Sequence, residues 1–425
     1  MTHMPHAAYQ MLVPAHRIVE VVNVLKDLRS HLLPRLVNAT RQKLQTIISK
    51  LQMRQSERVV GATIYSHQLS LRRLMSERWK HAPENSNWGS FGPDDQRGRM
   101  NLVDERKVLQ GVAEVKTGKN FSLSLPLDFP GGSALNPSRF PPRLISARRG
   151  GPDGPESYVL GLDLIEPNAT DVVCDDIAIL ATQYSTQWDS FAHVGSYFDA
   201  DGDGVAEKVF YNGYRANADI KPAANVGVDR SDLFAFKDPK ATALGIENLA
   251  MHGAQGRGVM VDLHAHHGRA RTKIGYDALM RVMDADKVEV ESGDMLCLHT
   301  GFADMILEMN RNPDPEKLHH TCTGLDGEDD KLLQWITDSG VAAIVADNYA
   351  VELIPNRWME PIRKPKLPLH AHCLFKNGIH LGELWYLTHL ANWLRAHGRN
   401  RFLLTAPPLH LPGAVGSPVN PIATV

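Results

Sequence analysis

A chain of 425 residues, 43% of them hydrophobic, is long enough to bury one large core or two ordinary ones. Its formal net charge of −2 gives no general electrostatic reason to expect nucleic acid or a membrane surface as partner. No apolar run reaches the roughly 18 residues that a membrane-spanning helix needs. The cysteines, Cys174, Cys297, Cys322 and Cys373, are too few and too scattered for a disulfide framework, and none form a CxxC pair. With no signal-peptide pattern at the start, these features point to a cytoplasmic protein.

The charge is uneven along the chain. Residues 1–80 hold 13 Lys and Arg against four Asp and Glu, whereas the whole chain has 46 and 48, so a basic extension precedes an acidic body. Within the extension Ile18, Val21, Val22, Leu25, Leu28, Leu32 and Leu36 recur every three or four residues, as on one face of a helix. Pro34 kinks or divides that helix, and Leu44, Ile47, Ile48 and Leu51 form a second stripe. Such an arm fits a solvated helical extension, an oligomerisation hairpin or a basic patch for an anionic surface. It lacks the aromatic interleaving that nucleic-acid binding favours. A polar linker from His81 to Asn87 sets the boundary, giving a helical basic extension over 1–81 and a main domain over 82–425.

From the linker to about residue 160, Pro and Gly are dense, as in Pro126-Leu-Asp-Phe-Pro-Gly-Gly132, and predict loops wrapped over a core. After residue 170, short apolar runs predict buried strands at Ile177–Leu180, Gly258–Val261, Asp294–Leu298, Val341–Val345 and Arg401–Leu404. Helices are predicted at Tyr276–Met283, Asp330–Ile336 and Glu383–Ala396. This alternation argues for one mixed α/β domain.

The most informative segment, Gln183-Tyr-Ser-Thr-Gln-Trp-Asp-Ser-Phe-Ala-His193, follows the first of those strands, where functional loops gather. Asp189 and His193, four residues apart on a turn, direct a carboxylate oxygen and an imidazole nitrogen to one point. Gln183 and Gln187 add neutral carbonyl oxygens, and the set suits Zn²⁺ or Mn²⁺. By spacing alone, however, an Asp-x-x-x-His pair is more often a surface or hydrogen-bonded pair. The second candidate is His370-Ala-His372, followed by His380 and Glu383. On an extended segment His370 and His372 point to opposite faces, so at most one reaches a given site. Glu383, opening the last helix, would equally serve as a cap for its free N–H groups.

Trp88, Phe91, Trp188 and Phe191 are candidates for the wall of an apolar substrate pocket, which Thr300 would also line. Ordinary core packing suits the aromatics equally. Asp199-Ala-Asp-Gly-Asp-Gly204 imitates the start of an EF-hand loop, but Phe210 stands where the loop needs a bidentate Glu, so a turn between strands is expected. His264-Ala-His266-His267 reads as a solvated cluster. The Gly-rich pieces fit no Walker or dinucleotide fingerprint, and there is no G-x-S-x-G elbow.

Seven segments taken in order carry a more specific signal. They are Asn87-Trp-Gly-Ser-Phe-Gly-Pro through Asn101, Gln187 through His193, Tyr211-Asn-Gly213, Gly256-Arg-Gly-Val-Met-Val-Asp262, Asp347-Asn-Tyr-Ala-Val-Glu352, His370 through Glu383-Leu384, and Pro408 through Pro421. Together they resemble the motifs of the cyclase family, which includes bacterial kynurenine formamidases and isatin hydrolases. The resemblance runs from about Asn87 to the C-terminus. It implies an α/β fold of the swivelling β/β/α type with a barrel-like mixed sheet, and assembly as a homodimer or homotetramer. It also implies a hydrolase that opens an amide, cyclic amide, lactone or formamide bond with a metal-activated water.

Carried over position by position, the resemblance implies metal ligands among Gln187, Asp189, His193, His370 and Glu383, with His193 or Glu383 shuttling the proton. Gln183 and Gln187 stand where the family's formamidases carry His. Replacing imidazoles by oxygen donors points to one divalent ion rather than two, and shifts the choice between Zn²⁺ and Mn²⁺ toward Mn²⁺. The same replacements raise an alternative, a non-catalytic small-molecule binding protein that has lost its metal. On either reading the partner is a small molecule.

Overall fold

The computed structural model describes residues 78–151, 153–223, 240–354 and 364–425. The apolar stripes expected of the N-terminal extension, from Ile18 to Leu51, lie outside the described residues. Nine strands build one strongly curled, half-barrel sheet. They are β1 (Asn120–Ser122), β2 (Gln187–Asp189), β3 (Gln255–Asp262), β4 (Met295–His299), β5 (Ala343–Ala346), β6 (His380–Glu383), β7 (Arg401–Thr405), β8 (Gly416–Pro418) and β9 (Ile422–Thr424). Their spatial order is β1-β9-β7-β3-β4-β5-β6-β2-β8. Strands β3 to β6 run parallel to one another, and the remaining pairings are antiparallel. This is the mixed α/β architecture expected from the sequence.

The middle parallel strands, β4 and β5, are apolar apart from the terminal His299 because both faces are covered. Met295–His299 and Ala343–Ala346 are buried at every residue. Val259, Val261, Leu296, Leu298 and Ile344 pack on one side with Leu279, Val282, Leu332 and Ile336. Those partners come from α2 (Tyr276–Ala285) and α3 (Asp330–Ser339). The alternate residues Met260, Met295, Cys297 and Val345 pack on the other side with Leu390, Ala391 and Leu394 of α4 (Thr388–Ala396). A further helix, α1 (Glu105–Ala113), lies against β3. A Cβ at its Gly111 would meet the carbonyl oxygen of Gly256 at 2.7 Å, so only glycine permits this approach. No helix among the described residues is long and apolar enough to cross a membrane.

Four expectations are corrected. The run Ile177–Leu180 is not a core strand: Asp176–Ile179 pairs with Arg143–Ser146 in a separate, largely exposed two-stranded ribbon. Four apolar residues are too short a signal to separate a core strand from a ribbon. Glu383 does not open the last helix but ends β6, opposite Gln187, and Leu384 leaves it in a left-handed conformation (φ 56°) that a helix cannot continue. His370 and His372 are not on an extended segment. Pro368–His370 form a helical turn that continues into a wider π turn over Ala371–Lys376. Helix α1 interrupts the region read as loop, opened by Asp104, whose carboxylate accepts the Lys107 N–H at 2.9 Å. The Asp199–Gly204 segment, in contrast, is the expected turn, joining strands Ser196–Phe198 and Glu207–Val209.

Candidate metal centre

The candidate residues meet because β2 is inserted between β6 and β8. The register sets Gln187 opposite Glu383 and Asp189 opposite Gly416. Alternation along β2 sends Gln187 and Asp189 to one face and Trp188 to the other. Next to them stands His370, whose Nε2 lies 3.2 Å from Glu383 Oε1 and 3.7 Å from Asp189 Oδ2. Asp189, His193 and His370 each offer one ligand atom, all within 4.8 Å of one another.

Glu352 holds His370 in place. Its Oε1 accepts the His370 Nδ1–H at 2.8 Å and the His370 backbone N–H at 3.1 Å, and its Oε2 accepts the Leu369 N–H at 2.8 Å. One buried carboxylate thus caps a helical turn and fixes the imidazole, leaving Nε2 turned to the cluster.

Two glutamines orient the other two carboxylates. Gln183 Nε2 donates to Asp189 Oδ1, and Gln187 Nε2 donates to Glu383 Oε2 at 3.1 Å. Each carboxylate then keeps one oxygen for the centre. Asp189 Oδ2 and Gln187 Oε1 are buried with no hydrogen-bond partner. Gly416 makes room for Gln183, since a Cβ there would lie 2.5 Å from Gln183 Cγ. Backbone strain marks the same place. Ala350 (φ 89°) and Val351 (φ 51°) precede Glu352, and Leu384 (φ 56°) follows Glu383, all left-handed without being glycine. Such residues cost about 1–3 kcal/mol each and gather at functional sites.

The electrostatics agree with the geometry. Burial pushes the Asp189 carboxyl up, but the charges of His193 and His370 and the Gln183 hydrogen bond outweigh it and hold the group below its ordinary value. Burial disfavours the charged form of His370, yet its hydrogen-bonding contacts with Asp189, Glu352 and Glu383 raise it well above the ordinary imidazole value. For His193 burial dominates and its pKa falls. Three buried carboxylates therefore converge on one imidazole, and a buried negative charge of this kind is costly unless a positive charge balances it. Carboxylate, amide and imidazole donors around unpartnered oxygens fit a divalent ion such as Mn²⁺ or Zn²⁺.

The structure thus brings together Gln187, Asp189, His193, His370 and Glu383. It does not assemble the expected pocket wall. Trp188 faces away from the cluster, donates its indole N–H to the Ala406 carbonyl at 2.8 Å and packs on Trp385 at 5.0 Å. Trp88 is core, edge-on to Trp79 and Phe375, with its N–H on the Phe375 carbonyl. Phe191 stacks on His380 at 4.0 Å, and Thr300 gives both its N–H and its hydroxyl to Asp347 Oδ1 at 2.7 Å. Large aromatics gain more from full burial than from lining a polar cleft. The pocket beside the cluster is lined instead by Leu135, Asn136, Arg139, Tyr184 and Tyr349, together with Pro130 and its glycine-serine neighbours.

Other roles escaped the sequence reading. Glu352 sits in a segment singled out from the sequence, but nothing local indicates that it binds His370, 18 residues on. His380, which burial pushes down to about 4, donates from Nδ1 to the Asp189 carbonyl at 2.8 Å and braces β2. His372 turns away from the centre toward Thr337 and Asn377.

Comparison with known proteins supports the family seen in the sequence. The "Putative cyclase" family model matches residues 121–353, a span containing Asp189, His193 and Glu352 but ending before His370 and Glu383. Comparison with curated proteins gives no significant match. A crystal structure described as a novel cyclase is 30% identical, covers 81% of this chain and 100% of its own, and superposes with a TM-score of 0.60. Isatin hydrolase A from Ralstonia solanacearum is 13% identical over 72% of this chain and 91% of its own, with a TM-score of 0.42. A protein described as a predicted metal-dependent hydrolase from Bacillus stearothermophilus is 13% identical over 72% of this chain and 97% of its own, with a TM-score of 0.38. With the family model spanning more than half of its length, this chain belongs to the cyclase family.

Proposed function

We propose that this cyclase-family protein is a metal-dependent hydrolase that opens an amide, cyclic amide, lactone or formamide bond. The observation that carries the reading is the pair of unpartnered buried oxygens, Asp189 Oδ2 and Gln187 Oε1, beside His370 Nε2 in a site of three buried carboxylates. Asp189, His370 and Glu383, with the Gln187 oxygen, would hold one divalent cation. Bound there, such an ion polarises a carbonyl and lowers the pKa of water.

The remaining work falls to the chain. Glu352 keeps the His370 ring turned so that Nε2 faces the centre, where a bound ion would displace its proton. Gln183 and Gln187 keep each carboxylate turned so that one oxygen points inward. We assign the proton shuttle to His193 rather than Glu383. The His193 imidazole makes no hydrogen bond among the described residues and faces the His370 ring at 6.2 Å, whereas Glu383 has an oxygen engaged by Gln187 and the other beside His370. An imidazole so placed can take a proton from an attacking water and return it to the leaving nitrogen or oxygen.

The test is a hydrolysis screen over cyclic imides, lactones, aryl formamides and isatin-like lactams, with added Mn²⁺ or Zn²⁺. Metal content is measured on the same protein. Asp189→Ala should lose the bound ion together with turnover, kcat/KM falling by roughly three orders of magnitude. A wild-type protein that holds well under one ion per chain in excess metal, and turns over none of the four classes, would instead be the non-catalytic small-molecule binder.

A further inference from the structure

The pocket beside the metal centre is organised around a single arginine. The segment that carries it is pinned at its start. Asp128 pairs with Arg311, whose guanidinium lies 4.2 Å over the Phe129 ring. Gly131 (φ 94°) passes so close that a Cβ would meet the Arg311 carbonyl oxygen at 2.4 Å. The Tyr184 hydroxyl donates to the Gly132 carbonyl at 2.9 Å. Asn136 then builds a turn, its side chain accepting the Ser138 N–H at 2.9 Å and its carbonyl accepting the Arg139 N–H at 3.1 Å. This turn delivers Arg139 to the pocket.

Arg139 is tied to the metal centre through one residue. Its Nη1 donates to the Gln183 carbonyl at 2.6 Å, and the Gln183 amide holds Asp189. Its charge is felt by both His193 and Tyr349. Among the described residues no carboxylate pairs with it, and one hydrogen bond engages one of the five N–H donors of a guanidinium. The residues lining the pocket include no acidic side chain, so a half-buried cation faces it without a counter-charge. The pocket is narrow, so it admits a small terminal group and excludes a ring.

We propose that this pocket receives a carboxylate of the substrate on Arg139, so that the favoured substrates are acyl compounds bearing an anionic group near the scissile bond. A planar fork with unused donors matches a carboxylate in shape as well as in charge. The proposal rests on the hydrolase reading only for the bond that is broken; the anion subsite stands on binding alone.

The experiment uses full-length, Mn²⁺-loaded protein and two probes of one shape, anthranilate and anthranilamide, titrated calorimetrically. Wild type should bind anthranilate about 10- to 100-fold more tightly than the amide. Arg139→Ala should abolish that preference, and Arg139→Lys should restore part of it. In turnover, the ratio of kcat/KM for N-formylanthranilate to that for formanilide should fall in Arg139→Ala and partly recover in Arg139→Lys. A preference that survives Arg139→Ala would put the carboxylate elsewhere, on the cation above all, and would overturn the proposal, as would a wild type with no preference. Binding that follows the prediction while neither formamide is hydrolysed would count against the hydrolysis of that bond and leave the subsite standing.

Discussion

Two groups of buried carboxylates in this protein are built on opposite principles. Asp294, just before β4, is fully buried and wholly satisfied. Its Oδ1 accepts from Arg257 Nε at 2.8 Å and Lys107 Nζ at 3.1 Å, and its Oδ2 from Arg257 Nη2 at 2.9 Å and the Glu291 N–H at 2.8 Å. Asp189, at the end of β2, accepts a neutral amide on one oxygen, while the other accepts no close hydrogen bond and lies 3.7 Å from His370 Nε2. In the first group the balancing cations are covalently part of the chain, so the group serves the fold. In the second they are a histidine and whatever enters from outside. A carboxylate whose partners are all supplied is structural, and one deliberately left short is the better candidate for chemistry.

The contrast can be broken most sharply at its closed end. Asp294→Ala leaves the buried Arg257 and Lys107 only the half-exposed Glu291 as counter-charge, and denaturant unfolding should register a loss of about 3–5 kcal/mol. Metal content should not change; a loss below about 1 kcal/mol would mean that the closed cluster contributes little to the fold. At the open end, stripping the cation with a chelator should cost about 2.7 kcal/mol if the ion had been present at a hundred times its Kd. This would appear as a fall in Tm, reversed by adding Mn²⁺, and of equal size in a variant of Arg257.

A finer test concerns the group behind the histidine. Glu352→Gln keeps an acceptor near His370 Nδ1 but removes the charge, and should weaken metal affinity about 10- to 100-fold against a competing chelator. Unaltered affinity would reduce Glu352 to a helix cap. The smallest effect is expected where an ion pair lies in water. Arg106 is 89% exposed beside Asp104, and Arg106→Ala should cost no more stability than the error of a denaturant unfolding curve. A larger loss would mean that exposure does not separate the two kinds of carboxylate partner here.

The strands Gly258–Val261, Asp294–Leu298, Val341–Val345 and Arg401–Leu404 were legible in the sequence, as were the helices beginning at Tyr276 and Asp330, within a few residues at their ends. Their signal is local: apolar runs and three-to-four spacing report burial directly. The family was legible too, through the order of its segments. Ile177–Leu180 failed because a short run does not say what lies above and below it. Glu383 was misplaced because its strand character comes from pairing with Gln187, 196 residues away.

What the amino-acid order determined by itself was therefore the repertoire: an α/β core, a set of carboxylates, histidines and amides, and a family whose members arrange them. Only the tertiary structure decided which of them meet. The insertion of β2 between β6 and β8 set Gln187 against Glu383, the fold-back of Glu352 fixed His370, and the pinned 126–139 segment brought Arg139 to the pocket. Burial periodicity is written within a few neighbouring residues, whereas a charge is completed or left open by groups far apart in the chain, which only packing can bring within a few ångströms.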